Sequence, residues 1–80
     1  MNTAITVQEL QGFWRVMFPK HDCPPDSQFA VWLLRYDQRT VRESIARTAI
    51  KFEKLNGAMS YEHLLKFASA TMGRLAMEVA

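Results

Sequence analysis

His21, Asp22 and Cys23 stand side by side in this 80-residue chain. They are the residue types from which a cysteine nucleophile, its imidazole base and an orienting carboxylate are made. Their spacing argues against that chemistry, because successive residues of a turn point in different directions and do not converge on one reacting atom. Zinc would need about four nitrogen or sulfur ligands, and His63 brings the set only to three, without paired spacing. The eight acids are scattered, mostly beside bases or at helix starts, so no carboxylate pair is set up for general acid-base work. Gly12, Gly57 and Gly73 are each isolated, which leaves no glycine-rich phosphate loop. The sequence predicts a non-enzymatic protein with no catalytic, cofactor or metal site.

Positive charge is the stronger chemical signal. Eight of the ten Lys and Arg residues lie from Arg35 onward, at Arg35, Arg39, Arg42, Arg47, Lys51, Lys54, Lys66 and Arg74. Arg39, Arg42, Arg47, Lys51 and Lys54 could each neutralise a phosphate along a groove or strand. The segment from Gln28 to Ile45 also has the outline of a helix-turn-helix, with Gln38-Arg39-Thr40 opening the second helix. Two features oppose direct DNA binding. The net charge is only +2, well short of the basic excess of a dedicated nucleic-acid domain. Glu43 and Glu53 share the basic side, and Glu43 precedes Arg47 by four residues, as on an ordinary salt-bridged solvated helix.

The elements that must position these residues are all helices. Helix one is expected after Thr6, with Glu9 completing a capping box, and runs to about Phe18, where Pro19 ends it. Leu10, Phe13, Trp14 and Met17 recur at the spacing of one helix face. Three prolines make residues 19–25 a loop. Helix two follows with Asp26 or Ser27 as its cap; Phe29, Trp32, Leu33 and Tyr36 share one side, and Ala30, Val31 and Leu34 the other. Asp37 caps helix three, expected from about Gln38 to Leu55 and stopped by Asn56-Gly57. Its inner stripe is Val41, Ile45, Thr48, Ala49, Phe52 and Leu55. Ser60 caps helix four, Tyr61 to about Met77, whose inner stripe is Tyr61, Leu64, Leu65, Ala68, Met72 and Leu75. No segment alternates with a period of two.

These elements predict an all-α fold: a single domain over residues 1–80, with four helices joined by short loops around Trp14, Phe29, Leu33, Ile45, Phe52 and Leu65. A hydrophobic fraction of 49% supports folding and argues against disorder. One cysteine excludes an intrachain disulfide. The longest apolar run, Phe29 to Leu34, is six residues, against about 20 for a membrane span. A cytoplasmic protein with no membrane partner is the expectation. Two surfaces remain for work: the outer side of helix two at Val31 and Leu34, and a small-residue side of helix four at Ala70, Gly73 and Met77. The second would let another helix approach closely, from a protein partner or from a second copy in a homodimer.

Trp32-Leu33-Leu34-Arg35-Tyr36-Asp37 followed by Val41 and Ile45, with an N-terminal helix ending at Phe18-Pro19, resembles the small helical phage proteins of the helicase-loader-inhibitor type over roughly residues 7 to 55. Such a resemblance implies a phage or mobile-element replication accessory factor whose partner is a helicase or a helicase loader. The chain departs from the pattern after Leu55, where a capped amphipathic helix replaces a flexible partner-binding tail.

Overall fold

A computed structural model describes residues 3–79 and contains four helices: α1 (Thr3–Met17), α2 (Asp26–Arg35), α3 (Gln38–Lys54) and α4 (Tyr61–Val79). There is no strand among the described residues, so the all-α four-helix architecture is as expected. The Cα radius of gyration is 12.0 Å, against about 12 Å for a close-packed chain of this length. One core draws on every helix, with Leu10, Trp14, Phe29, Val41, Ile45, Leu64 and Met72 at its centre.

The helix termini show which sequence signals act. Asp37 accepts a 2.7 Å hydrogen bond from the Thr40 amide, and Ser60 Oγ accepts from the His63 amide at 3.2 Å; both caps are as expected. At the end of α3, Asn56 and Gly57 take left-handed backbone angles, φ 54° and φ 75°. The Gly57 amide donates to the Phe52 carbonyl at 2.9 Å, folding the chain back over the last turn. Two starts differ from expectation. α1 begins at Thr3, so Thr6 lies inside the helix and is buried where a cap was expected. α2 is preceded by Pro25, and no side chain caps it. Its Asp26 instead accepts a 2.7 Å bond from Gln11 Nε2, tying α2 to α1. A residue fixed at φ −70° with extended ψ already turns the chain into a helix, so a side-chain cap is dispensable there.

Side-chain bonds fix the order of the helices. Gln38 reaches Glu9, His21 reaches Met59, and Trp32 Nε1 donates to Ser69 Oγ at 3.0 Å. Chain direction therefore alternates from helix to helix. One end gathers the α1–α2 and α3–α4 loops; the other gathers the start of α1, the Tyr36-Asp37 turn and the start of α3. α3 packs most extensively on α4, and the buried Ser44, Thr48 and Thr71 on those helices donate to carbonyls four residues back. Small hydroxyl residues thus enter the core without an unpaired donor. Leu33, Phe52 and Leu65, expected at the centre, are only partly buried around it. Leu55, expected in the inner stripe, is exposed, because α3 ends at Lys54 and Leu55 is already in the turn.

Two consequences are measurable. Gly57→Ala should destabilise the fold by about 1 kcal/mol, since a Cβ disfavours φ 75°, while Gly12→Ala on the exposed side of α1, where a Cβ meets nothing within 4 Å, should be neutral or stabilising in urea denaturation. Asp37→Ala should cost about 1 kcal/mol near pH 7. Hydrogen bonds from Thr40, backbone first, hold the Asp37 carboxyl below the usual carboxylate range. The cap's charge-dependent contribution is therefore complete above the unfolded value of about 3.9 and fades as pH falls through the lower folded value. The gap between wild type and Asp37→Ala should narrow at acid pH; a constant gap from pH 7 to pH 2 would remove the ionised carboxylate from the account.

Candidate functional site

At the end where the loops meet, His21, Asp22 and Cys23 do share a small open recess, with Arg15 and Tyr61 beside them. Trp14 explains how it forms. Its buried indole N–H needs an acceptor and finds the Asp22 carbonyl at 3.0 Å, which pins the proline loop. His21 Nε2 then lies 3.0 Å from the Met59 carbonyl, the arrangement of an N–H donor to a backbone acceptor, and the imidazole stands edge-on to Phe52, 5.1 Å between centroids. Its Nδ1 is buried without a hydrogen-bond partner among the described residues. His21 therefore bridges two loops through its Nε2.

The Cys23 sulfur lies 3.8 Å from the Gln11 carbonyl. Burial, with Asp26 adding to it and Arg15 opposing, pushes the thiol above its ordinary pKa. Burial also raises the Tyr61 hydroxyl, helped by nearby Cys23 and Asp22. Both groups are held in their neutral forms, the opposite of what a nucleophile requires. His63 is exposed in the first turn of α4 and is not among the residues lining this recess. No group of three or more metal-ligand side chains is assembled among the described residues.

The basic residues of α3 span half its circumference, with Glu43 and Glu53 among them. Arg39, Arg42, Arg47, Lys51 and Lys54 are all exposed, but Arg42 and Lys51, nine positions apart, lie on opposite flanks of a helix turning about 100° per residue. Arg47 is paired with Glu43 at 3.4 Å, an exposed bond worth about 0.3–0.5 kcal/mol. Arg42 turns the other way and rests on the Phe13 ring of α1, 4.9 Å from its centroid.

The apolar candidates separate as well. Val31 and Leu34 are 47% and 86% exposed on the outer side of α2. On α4, Ala70 is exposed and Met77 is 80% exposed, whereas Gly73 is already approached from within the chain: the Tyr36 hydroxyl lies 3.7 Å from where a Cβ would stand.

A groove not expected from the sequence lies at the other end, between α1, α2 and the first turns of α3. Phe13, Leu33, Tyr36 and Ala46 contribute its apolar surface, and Arg39 and Arg42 its basic rim. Of the first three only Leu33 is expected at the centre of the core; all three are half-buried against it, and each leaves an edge uncovered. The available signal was Ala46, a small residue set four after Arg42 and seven after Arg39 on an otherwise charged face.

The described residues form a four-helix domain with an open groove at one end and an open recess at the other. No helix among the described residues is long and apolar enough to cross a membrane. No family model, curated protein or solved structure matches the chain.

The thiol gives a direct check on the recess. Iodoacetamide should alkylate Cys23 several-fold more slowly at pH 7 than it alkylates free cysteine, with the rate climbing above the ordinary thiol pKa. Reaction at the free-cysteine rate would show a thiolate in reach of solvent and reopen nucleophilic chemistry.

Proposed function

We propose that this protein is a non-enzymatic interaction module, a phage or mobile-element accessory factor in the cytoplasm that binds a protein of the replication machinery, a helicase or its loader. The observation carrying this reading is the pair Val31 and Leu34, which stand on the outer side of a helix whose opposite side supplies Phe29 and Trp32 to the core. Large apolar side chains grouped on a surface mark contact sites for partners. Nothing in the fold requires either to be apolar. The resemblance around Trp32 to Asp37 supplies the class of partner.

Direct DNA binding through α3 is the weaker reading, because Arg47 is engaged by Glu43 and the exposed Glu43 and Glu53 lie among the basic residues. Homodimerisation through α4 has a less accessible centre, because Gly73 is half-buried between the exposed Ala70 and Met77.

The test uses the replicative helicase and the helicase loader of the cell that carries this gene, each purified and immobilised. Saturable binding of the protein to one of them is expected, weakened at least tenfold by Leu34→Glu with the helical circular dichroism unchanged. Failure to bind either protein would sink the replication-partner reading. Binding to duplex DNA instead, with affinity falling by roughly 0.9 log unit per log unit of salt for each phosphate neutralised, would replace it with the second reading.

A further inference from the structure

The groove between α1, α2 and α3 has an unequal supply of partners along its rim. Its lining carries two acids and two bases, so formal charge is balanced, but the acids are already engaged. Asp37 accepts from the Thr40 amide, and Glu43 accepts from Arg47. Arg39 and Arg42 make no hydrogen bond or salt bridge to an acid or carbonyl among the described residues; Arg39 acts on Asp37 only through its charge, and Arg42 contacts the Phe13 ring. Each guanidinium offers five N–H donors in a planar fork suited to carboxylates. The groove thus presents an apolar floor bounded by two cationic donors with no acceptor.

The positions are held firmly. Phe13 and Leu33 lie against the core, Tyr36 is the cap of α2 and donates its amide to the Trp32 carbonyl, and Arg39, Arg42 and Ala46 share one helix that starts at the Asp37 cap. Stacking on Phe13 limits where the Arg42 guanidinium can go, so less freedom is lost when it meets a carboxylate. The groove is open to solvent and walled by three helices. A small molecule would leave much of its surface in water there, whereas drug-sized ligands are mostly enclosed in their sites. An amphipathic helix laid lengthwise matches an open apolar groove.

We infer that this groove docks an acidic amphipathic helical segment of a protein partner, its apolar side chains on Phe13, Leu33, Tyr36 and Ala46 and its carboxylates on Arg39 and Arg42. This rests on the protein-interaction reading above and names a surface of that module distinct from the Val31 and Leu34 side. Apolar contact supplies the larger share of affinity, and the arginines set the orientation and reject basic segments.

The experiment selects 16-residue peptides from a random phage-displayed library on the full 80-residue protein, then measures the enriched sequences, fluorescein-labelled, by anisotropy. Sequences with apolar residues three or four apart and interspersed Asp or Glu are expected. Binding should fall at least tenfold with the double variant Arg39→Glu/Arg42→Glu and with Ala46→Arg, all at positions where circular dichroism can verify an intact fold. The Asp- and Glu-bearing peptides remade with Lys should recover binding to the double-reversed variant, which a misfolded protein could not do. Enriched peptides that ignore these variants but are lost with Leu34→Ser overturn the groove while leaving the interaction reading intact. Basic or uncharged peptides in the groove, or displacement of the peptide by duplex DNA at equal salt, overturn the assignment of the arginines to carboxylates. Helicase or loader binding without any peptide enrichment overturns this inference alone; no binding in either experiment overturns both.

Discussion

The hydrogen bond from the buried Trp14 indole to the Asp22 carbonyl is the contact on which the arrangement of the loops depends. An indole taken out of water leaves one N–H that must find an acceptor, and an unpaired buried donor costs about 1–3 kcal/mol. The acceptor comes from a loop whose three prolines supply few amide protons of their own. Once Asp22 is held, His21 is brought to Met59, and Phe18 and His21 both meet Phe52 edge-on. One bond thereby links α1, its following loop, the end of α3 and the approach to α4.

The recess with His21, Cys23 and Tyr61 follows from that closure. In that closure the imidazole bonds the Met59 carbonyl, the thiol is half-buried beside the Gln11 carbonyl, and the phenol lines the same recess. Desolvation acts on Cys23 and Tyr61 in the direction that keeps them neutral. A nucleophilic cysteine requires the reverse, a cationic neighbour or a helix N-terminus strong enough to outweigh burial; Arg15 lowers the thiol, but burial outweighs it.

The helices were legible in the sequence where apolar spacing and local chemistry agree. Asp37 and Ser60 as caps and Asn56-Gly57 as a stop are local signals, satisfied within a few residues, and each acts as expected. The start of α1 was not legible at Thr6, because Ser, Thr and Asp also occur inside helices when a partner or a core position claims them. Leu33, Phe52 and Leu65 were read as central because spacing gives the side of a helix, not its depth below the surface. The groove was hidden for the same reason. Phe13 comes from α1 and Leu33 and Tyr36 from the end of α2, and only their packing shows that each is half covered.

The two ends of the bundle therefore differ in kind. At one, aromatic rings, a helix-to-loop hydrogen bond from Trp14 and a loop-to-loop bond from His21 close the structure. At the other, Tyr36 and Asp37 continue the chain in two extended residues without a loop long enough to fold over the gap between α1 and α3. A two-residue connection cannot cover a groove several side chains long, and none of the four helices lies over it among the described residues. The apolar floor is left open by the economy of the connection, and the arginines at its edge keep it hydrated while it has no partner. Rigid backbone beneath an uncovered apolar strip, with cationic groups free to exchange water for carboxylates, is the physical form of a preorganised docking surface.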